Sequence, residues 1–323
     1  MKLSVSLPFL LSAIPLCRAA PVGLSSWPGW AGIEYLFVFG NSYTQTGFDP
    51  TGEQPNPSNP FGNPPFPGWT SANGPNWIDF LATTHNQSFV RTYNLAYGGA
   101  TVDSNLVPPY APTVLSLKNQ VEDQFIPIYG SHPDTAPWSA ENTLFAIFIG
   151  INDVGSTFWN KDDALYDEIF SVYRDLINQI HETGGQNFLF LNVPPIDRSP
   201  MVIGQGEQGQ ELADIAILDF NGRVAALATD VETSYEGSRV FQFDTHALYS
   251  AVLDHPASHP ETGVYKDVTT FCEEYKNGTP DWYTLIPECG IAVHEYFWLN
   301  DLHPTFPIHN ATAREVASLL GQA

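Results

Sequence analysis

Five apolar runs punctuate the chain, at Tyr35–Phe39, Val90–Leu95, Leu144–Ile149, Phe188–Val193 and Val240–Phe243. They are close to continuous rather than alternating, as strands buried on both faces are, whereas a strand with one wet face alternates apolar and polar positions. Between and beyond them apolar residues recur at helical spacing. That recurrence predicts helices over Trp77–Thr84, Val114–Ile128, Asp163–Thr183, Gln210–Thr233, Thr245–Leu253 and Ala311–Leu320. Strands alternating with helices argue for a parallel sheet covered on both faces, with right-handed crossovers, in a fold of the α/β class. The proline-rich stretch from Gly52 to Gly68 lies between the first strand and Trp77, so it reads as a rigid surface loop rather than a linker. With no linker and no repeat, residues 21–323 are expected to form one domain.

Chemistry-bearing residues gather where these runs stop, which is where open α/β sheets place their ligands. The first run passes through Gly40-Asn41 into Ser42. That tripeptide is by itself an ordinary turn, but it also lifts a serine off a strand end, where a nucleophile would sit. The second run leads to Gly98-Gly99, either a plain glycine turn or a bared backbone N–H suited to an oxyanion. The third stops at Asn152-Asp153, and Asn152 could cap a helix or donate its amide N–H to the same oxyanion. Near the C-terminus, Asn300, Asp301 and His303 precede Pro304. A lone histidine is more often structural, yet this one stands beside an amide and a carboxylate that could orient it as a base.

Taken in this order, Gly40-Asn41-Ser42, Gly98-Gly99, Asn152-Asp153 and Asp301-Leu302-His303 resemble the four blocks of the GDSL, or SGNH, hydrolase superfamily. The resemblance runs from about Glu34 to Ala317 and is greatest to fungal secreted acetylesterases of carbohydrate esterase family sixteen. It implies a single three-layer α/β/α domain with a flavodoxin-like five-stranded parallel sheet. It also implies roles for the residues: Ser42 as nucleophile, His303 as general base, and the N–H groups of Ser42 and Gly99 with the Asn152 side chain as oxyanion hole. A serine hydroxyl is a weak nucleophile until an imidazole takes its proton, and the tetrahedral intermediate then needs N–H donors, so no metal or cofactor is called for. The implied substrate is an acetyl ester of carbohydrate, such as an acetylated xylo-oligosaccharide, or another small ester.

Two positions depart from the superfamily pattern. The first block commonly reads Gly-Asp-Ser, and here its middle residue is Asn41. The triad acid stands three residues before the histidine, and here that residue is Asn300, with Asp301 one place later. Either Asp301 reaches His303 or a neutral Asn300 orients it. The larger electrostatic benefit of a carboxylate favours Asp301.

Composition narrows the setting. Met1 to Ala20 joins Lys2, the apolar run Leu7–Leu16 and Cys17-Arg18-Ala19-Ala20, a secretory leader cut after Ala19 or Ala20 and too short to span a bilayer. The mature chain is therefore expected outside the cell, without a membrane anchor, as a monomer. Removing Cys17 leaves Cys272 and Cys289 to pair, a bond worth roughly 3 kcal/mol. Asn86, Asn277 and Asn310 begin N-glycosylation sequons. A net charge of −23 without a basic patch excludes nucleic acid and anionic membrane as partners, and suits solubility in an acidic medium.

Other signals carry less. Trp69 and Trp159 follow catalytic blocks and could stack on a sugar, or simply pack. Gly204-Gln-Gly-Glu-Gln-Gly209 matches a dinucleotide pattern but follows no strand, and reads as the approach to a helix. His255 and His259 lie among prolines in a surface loop, and Asp162, Asp163, Asp167 and Glu168 suit a helix start. Two competing functions remain at this point: a lipase or lysophospholipase of the same superfamily, and a catalytically degenerate polysaccharide-binding protein.

Overall fold

The computed structural model describes residues 26–160 and 162–322; the expected leader, Met1–Ala20, lies outside the described residues. The apolar runs form five parallel strands, β1 (Tyr35–Gly40), β2 (Arg91–Asn94), β3 (Thr143–Phe148), β4 (Asn187–Leu191) and β5 (Arg239–Phe243), in the order β2-β1-β3-β4-β5. β1 and β3 are buried along their whole length and pair in register from Tyr35↔Thr143 to Gly40↔Phe148. This doubly buried pair explains the continuous apolar runs. Phe37 is the hub of an aromatic core, its ring within 6 Å of those of Tyr93, Phe125, Tyr129, Trp138 and Phe145.

The principal helices are α1 (Trp77–Thr83), α2 (Ile151–Thr157), α3 (Asp163–Glu182), α4 (Glu207–Ser234), α5 (Thr245–Asp254) and α6 (Phe306–Gly321). α1 packs on α6, while α3 packs on α4, which gives the helical layers of an α/β/α sandwich. Boundaries shift where local chemistry overrides periodicity. α6 begins five residues before the expected start, because Pro307 sits in its first turn, where a missing N–H costs nothing. α4 begins at Glu207 with Gly206 as its cap, so the glycine pattern is a helix entry. α2 has no counterpart among the helices expected from periodicity, and Asn152 lies in its first turn rather than at its cap, which is Gly150.

The helix expected from Val114 starts at Leu117, capped by Ser116, and widens into a π-helical stretch, Gln120–Phe125. Cys272 and Cys289 are bonded, with Cα atoms 5.6 Å apart, over a small cluster of Tyr275, Val293, Tyr296 and Leu299. Of the sequon asparagines, Asn277 is exposed and Asn86 half-buried. Asn310 lies inside α6, its Oδ1 2.8 Å from His85 Nε2 and its sequon Thr312 fully buried.

The π-helical stretch has a consequence for the end of β1. It turns Gln120, fully buried, onto the last peptide of the strand: Gly40 N–H donates to Gln120 Oε1 (2.9 Å), and Gln120 Nε2 donates to Gly40 O (2.9 Å) and Leu115 O (3.1 Å). Gly40 itself is required, since its φ is 151° and a Cβ would lie 2.2 Å from Phe148 O. Gln120→Leu therefore strands the buried N–H of Gly40. The expected loss is about 1–3 kcal/mol of stability, read as a lower urea midpoint at unchanged slope.

Candidate active site

The chain leaves β1 through a tight turn around Asn41. Its carbonyl accepts from the N–H groups of Thr44 and Gln45 (both 3.0 Å), and its Oδ1 accepts from Tyr43 N–H (3.0 Å). Asn41 is fully buried, so an amide does this work without the cost of a buried charge. The turn is fixed from outside by Asn76 and Asn94, whose side-chain N–H groups both donate to Thr44 O (2.7 Å each). Ser42 is held at its crest, 8% exposed.

His303 arrives on a second tight turn. Leu299 N–H donates to His303 O and Thr305 N–H to Phe297 O, each at 2.8 Å. Inside this loop Asn300 Oδ1 accepts three N–H groups: those of Leu302 (3.0 Å) and His303 (2.8 Å), and His303 Nδ1 (3.1 Å). With Nδ1 committed as donor, Nε2 presents its lone pair to the hydroxyl of Ser42, 2.7 Å away. Tyr43 closes the joint by donating its hydroxyl to Leu302 O (2.6 Å).

The preference for Asp301 is corrected by this geometry. Its carboxylate is exposed, and its backbone O accepts from Met201 N–H (2.8 Å). The turn that lets Asn300 Oδ1 reach back to His303 sends the next side chain outward.

Ser42, Gly99 and Asn152, the expected oxyanion donors, line the same cavity as His303. Among the described residues, the N–H groups of Ser42 and Gly99 have no protein acceptor. Gly99 has a φ of 85°, and a Cβ there would stand 2.4 Å from the Tyr110 ring. Asn152, in the first turn of α2, spends one amide proton on Ala100 O (2.8 Å) and keeps the other. The adjacent Asp153 Oδ1 accepts from Val102 N–H (3.0 Å), which ties the glycine loop to the start of α2. Ser42, Gly99, Asn152 and His303 line one cavity of about 800 Å³, with Trp69 and Tyr110 at its walls.

Trp159 is not part of it. Its Nε1 donates to Gln205 Oε1 (2.9 Å) and its ring packs on Phe158, so the stacking role considered for it is corrected to a surface packing role. His259 lies beside Ser258 and Glu315, and Asp162 caps α3.

This arrangement belongs to a known family. The sequence model described as GDSL-like Lipase/Acylhydrolase matches residues 36–315. The chain belongs to that family. It is a carboxylic ester hydrolase. It is similar to an acetylesterase of Thermothelomyces thermophilus, 37% identical over 288 residues, which cover 88% of this chain and 87% of that protein. It is also similar to an acetylesterase of Hypocrea jecorina, 24% identical over 325 residues, covering 89% and 88% of the two chains. A thermolabile hemolysin of Vibrio parahaemolyticus is 24% identical over 250 residues, covering 76% of this chain and 54% of that protein.

Sequence reasoning missed Gln120, Tyr43 and Asp153, which hold the segments of the candidate site without lining its cavity. Gln120 had no signal in the sequence, standing among Lys118, Asn119, Glu122, Asp123 and Gln124; Asp153 stood in plain view beside Asn152.

Two tests follow from the loop. Asp301→Ala is expected to leave kcat within a few-fold of the parent, while Asn300→Ala, which frees the imidazole to rotate, lowers it by roughly 10². Steady-state kinetics of the two purified variants decide between the orienters.

Protonation supplies the second. Desolvation by the surrounding protein pushes the His303 pKa down to about 4. The imidazole is then the free base above that pH, and kcat/KM of the parent should fall only as pH drops through about 4. Asn300→Asp places a carboxylate on Nδ1–H and stabilises the imidazolium. Its acid limb should move upward by about one unit or more, as read from the pH profile of kcat/KM.

Proposed function

We propose that the protein is a secreted serine esterase that releases acetyl groups from carbohydrate, acetylated xylo-oligosaccharides among them, through an acyl-enzyme intermediate. The observation that carries this reading is the 2.7 Å contact between Ser42 Oγ and His303 Nε2, facing the N–H groups of Ser42, Gly99 and Asn152 across one cavity. In the first half-reaction His303 Nε2 takes the hydroxyl proton as Ser42 Oγ bonds to the ester carbon. The three N–H donors hold the resulting oxyanion. As the C–O bond to the alcohol breaks, His303 returns the proton to the departing oxygen. Water then repeats the sequence, its proton going to His303 and back to Ser42 Oγ as acetate leaves.

The acetyl part of the reading is supported by the two acetylesterases, which match most of this chain at 37% and 24% identity, and the carbohydrate part rests on the resemblance of the sequence blocks alone. Secretion is supported by the leader pattern and the Cys272–Cys289 bond, which suits an oxidising compartment. No helix of the described residues is long and apolar enough to cross a membrane.

The test is a series of p-nitrophenyl esters of increasing acyl length, with Ser42→Ala as the control. The expected result is a steep loss of kcat/KM beyond propionyl and a loss of roughly 10⁶ in kcat for the variant. A maximum at long acyl chains would make the protein a lipid hydrolase instead, and an active Ser42→Ala would remove the serine mechanism.

A further inference from the structure

Beyond His303 the active-site cleft continues into a second cavity of about 660 Å³, within the roughly 300–1,000 Å³ range of small-molecule sites. The two cavities share Trp69, Ser71 and His303, whereas Gly99, Asn152 and the Ser42 hydroxyl line only the first. We infer that this second chamber is the subsite for the alcohol half of the ester, and that it is built for a neutral sugar ring. The inference rests on the esterase reading above and says where its leaving group lies.

Reaction geometry assigns the sides. The carbonyl oxygen must face the N–H donors, which places the acyl half in the first cavity. The departing oxygen must face His303 Nε2, which returns its proton, and His303 is the border between the chambers. The alcohol therefore extends across Trp69, 71% exposed at that border, into the second.

The chamber's chemistry fits a pyranose, which presents an apolar C–H face and a rim of hydroxyls that both donate and accept. Trp69 and Trp282 supply aromatic faces, and Asn73 and Thr279 supply an amide and a hydroxyl. The wall is held in place: Thr279 N–H donates to Asn73 Oδ1 (2.6 Å), and Asn73 Nδ2 donates to Thr279 Oγ1 (3.0 Å). Lys276 lines the chamber but is paired with Glu273, so no net charge invites an anion. Residues 276–282 of the wall belong to the loop closed by Cys272–Cys289, which gives that bond a place in substrate selection as well as stability.

The test compares kcat/KM for an acetylated xylo-oligosaccharide with kcat/KM for p-nitrophenyl acetate, whose flat leaving group fills little of the chamber. Trp282→Ala removes one wall, and Lys276→Trp fills the chamber from an exposed position. The ratio of the two constants is expected to fall at least tenfold in both, carried mainly by KM for the oligosaccharide. Because Lys276 is exposed, its variant decides the matter even where Trp282→Ala folds poorly. A parent-like ratio in Lys276→Trp, with the parent cleaving the oligosaccharide ester, would overturn the chamber assignment and leave the esterase reading standing. A parent that cleaves p-nitrophenyl acetate but no sugar acetate would overturn the carbohydrate reading, and this inference with it.

Discussion

A single oxygen atom, Oδ1 of Asn300, sets the geometry of the Ser42–His303 pair. It takes two backbone N–H groups and the imidazole Nδ1 at once, so the conformation of the 299–303 turn and the orientation of the His303 ring are one constraint rather than two. An acceptor that only touched the ring would leave the turn free. One that only capped the turn would leave the ring free to rotate. Because both are satisfied together, Nε2 has one direction to point, and the sheet must deliver Ser42 to meet it.

Delivery depends on the ends of β1 and β3. The serine and histidine are 261 residues apart: β1 carries Ser42 on the turn at its end, and the neighbouring Tyr43 donates its hydroxyl to Leu302 O in the loop that carries His303. Gly40 lets β1 pass the Phe148 carbonyl without a side chain, and Gln120 occupies both polar groups of its peptide. Asn41 then turns the chain using its own oxygen atoms. Asn76 and Asn94 hold the far side of that turn. The loop is polar, buried and hydrogen-bonded almost throughout, which holds the Ser42 hydroxyl in one place.

The sheet was legible because doubly buried strands leave continuous apolar runs, and the strand-end residues were legible because glycine, serine, asparagine and histidine are where the chemistry needs them. Less visible were features that depend on contact. Nothing in the spacing of Gln120 indicates a π-helical turn that aims it at Gly40. The early start of α6 follows from Pro307 being tolerated in a first turn, where periodicity alone stops at the proline. The choice between Asn300 and Asp301 was misjudged by weighing charge over geometry: a carboxylate is the better partner for imidazolium, but only if the backbone turns it inward. Trp159 shows the same limit, since proximity in sequence to Asn152 did not place its ring in the cavity.

In the mechanism proposed above, a neutral orienter shifts the work of catalysis to the other side of the cleft. A carboxylate behind the histidine stabilises the imidazolium that forms as the serine attacks, and it also raises the pH at which the imidazole is protonated beforehand. Asn300 supplies direction without charge, and desolvation by the surrounding protein, with no carboxylate to oppose it, pushes the His303 pKa down to about 4. The same absence of charge leaves the imidazolium less supported in the transition state. What remains to offset the separated charges in that mechanism is the proposed oxyanion site, where the Ser42 and Gly99 N–H groups and one Asn152 proton have no acceptor among the described residues. Their fixed aim removes the need to reorganise during attack. The tie from Asp153 to Val102, and the Asn152 bond to Ala100, then matter more than they would in a site with a charged acid, because they set the spacing of the donors on which the reaction leans.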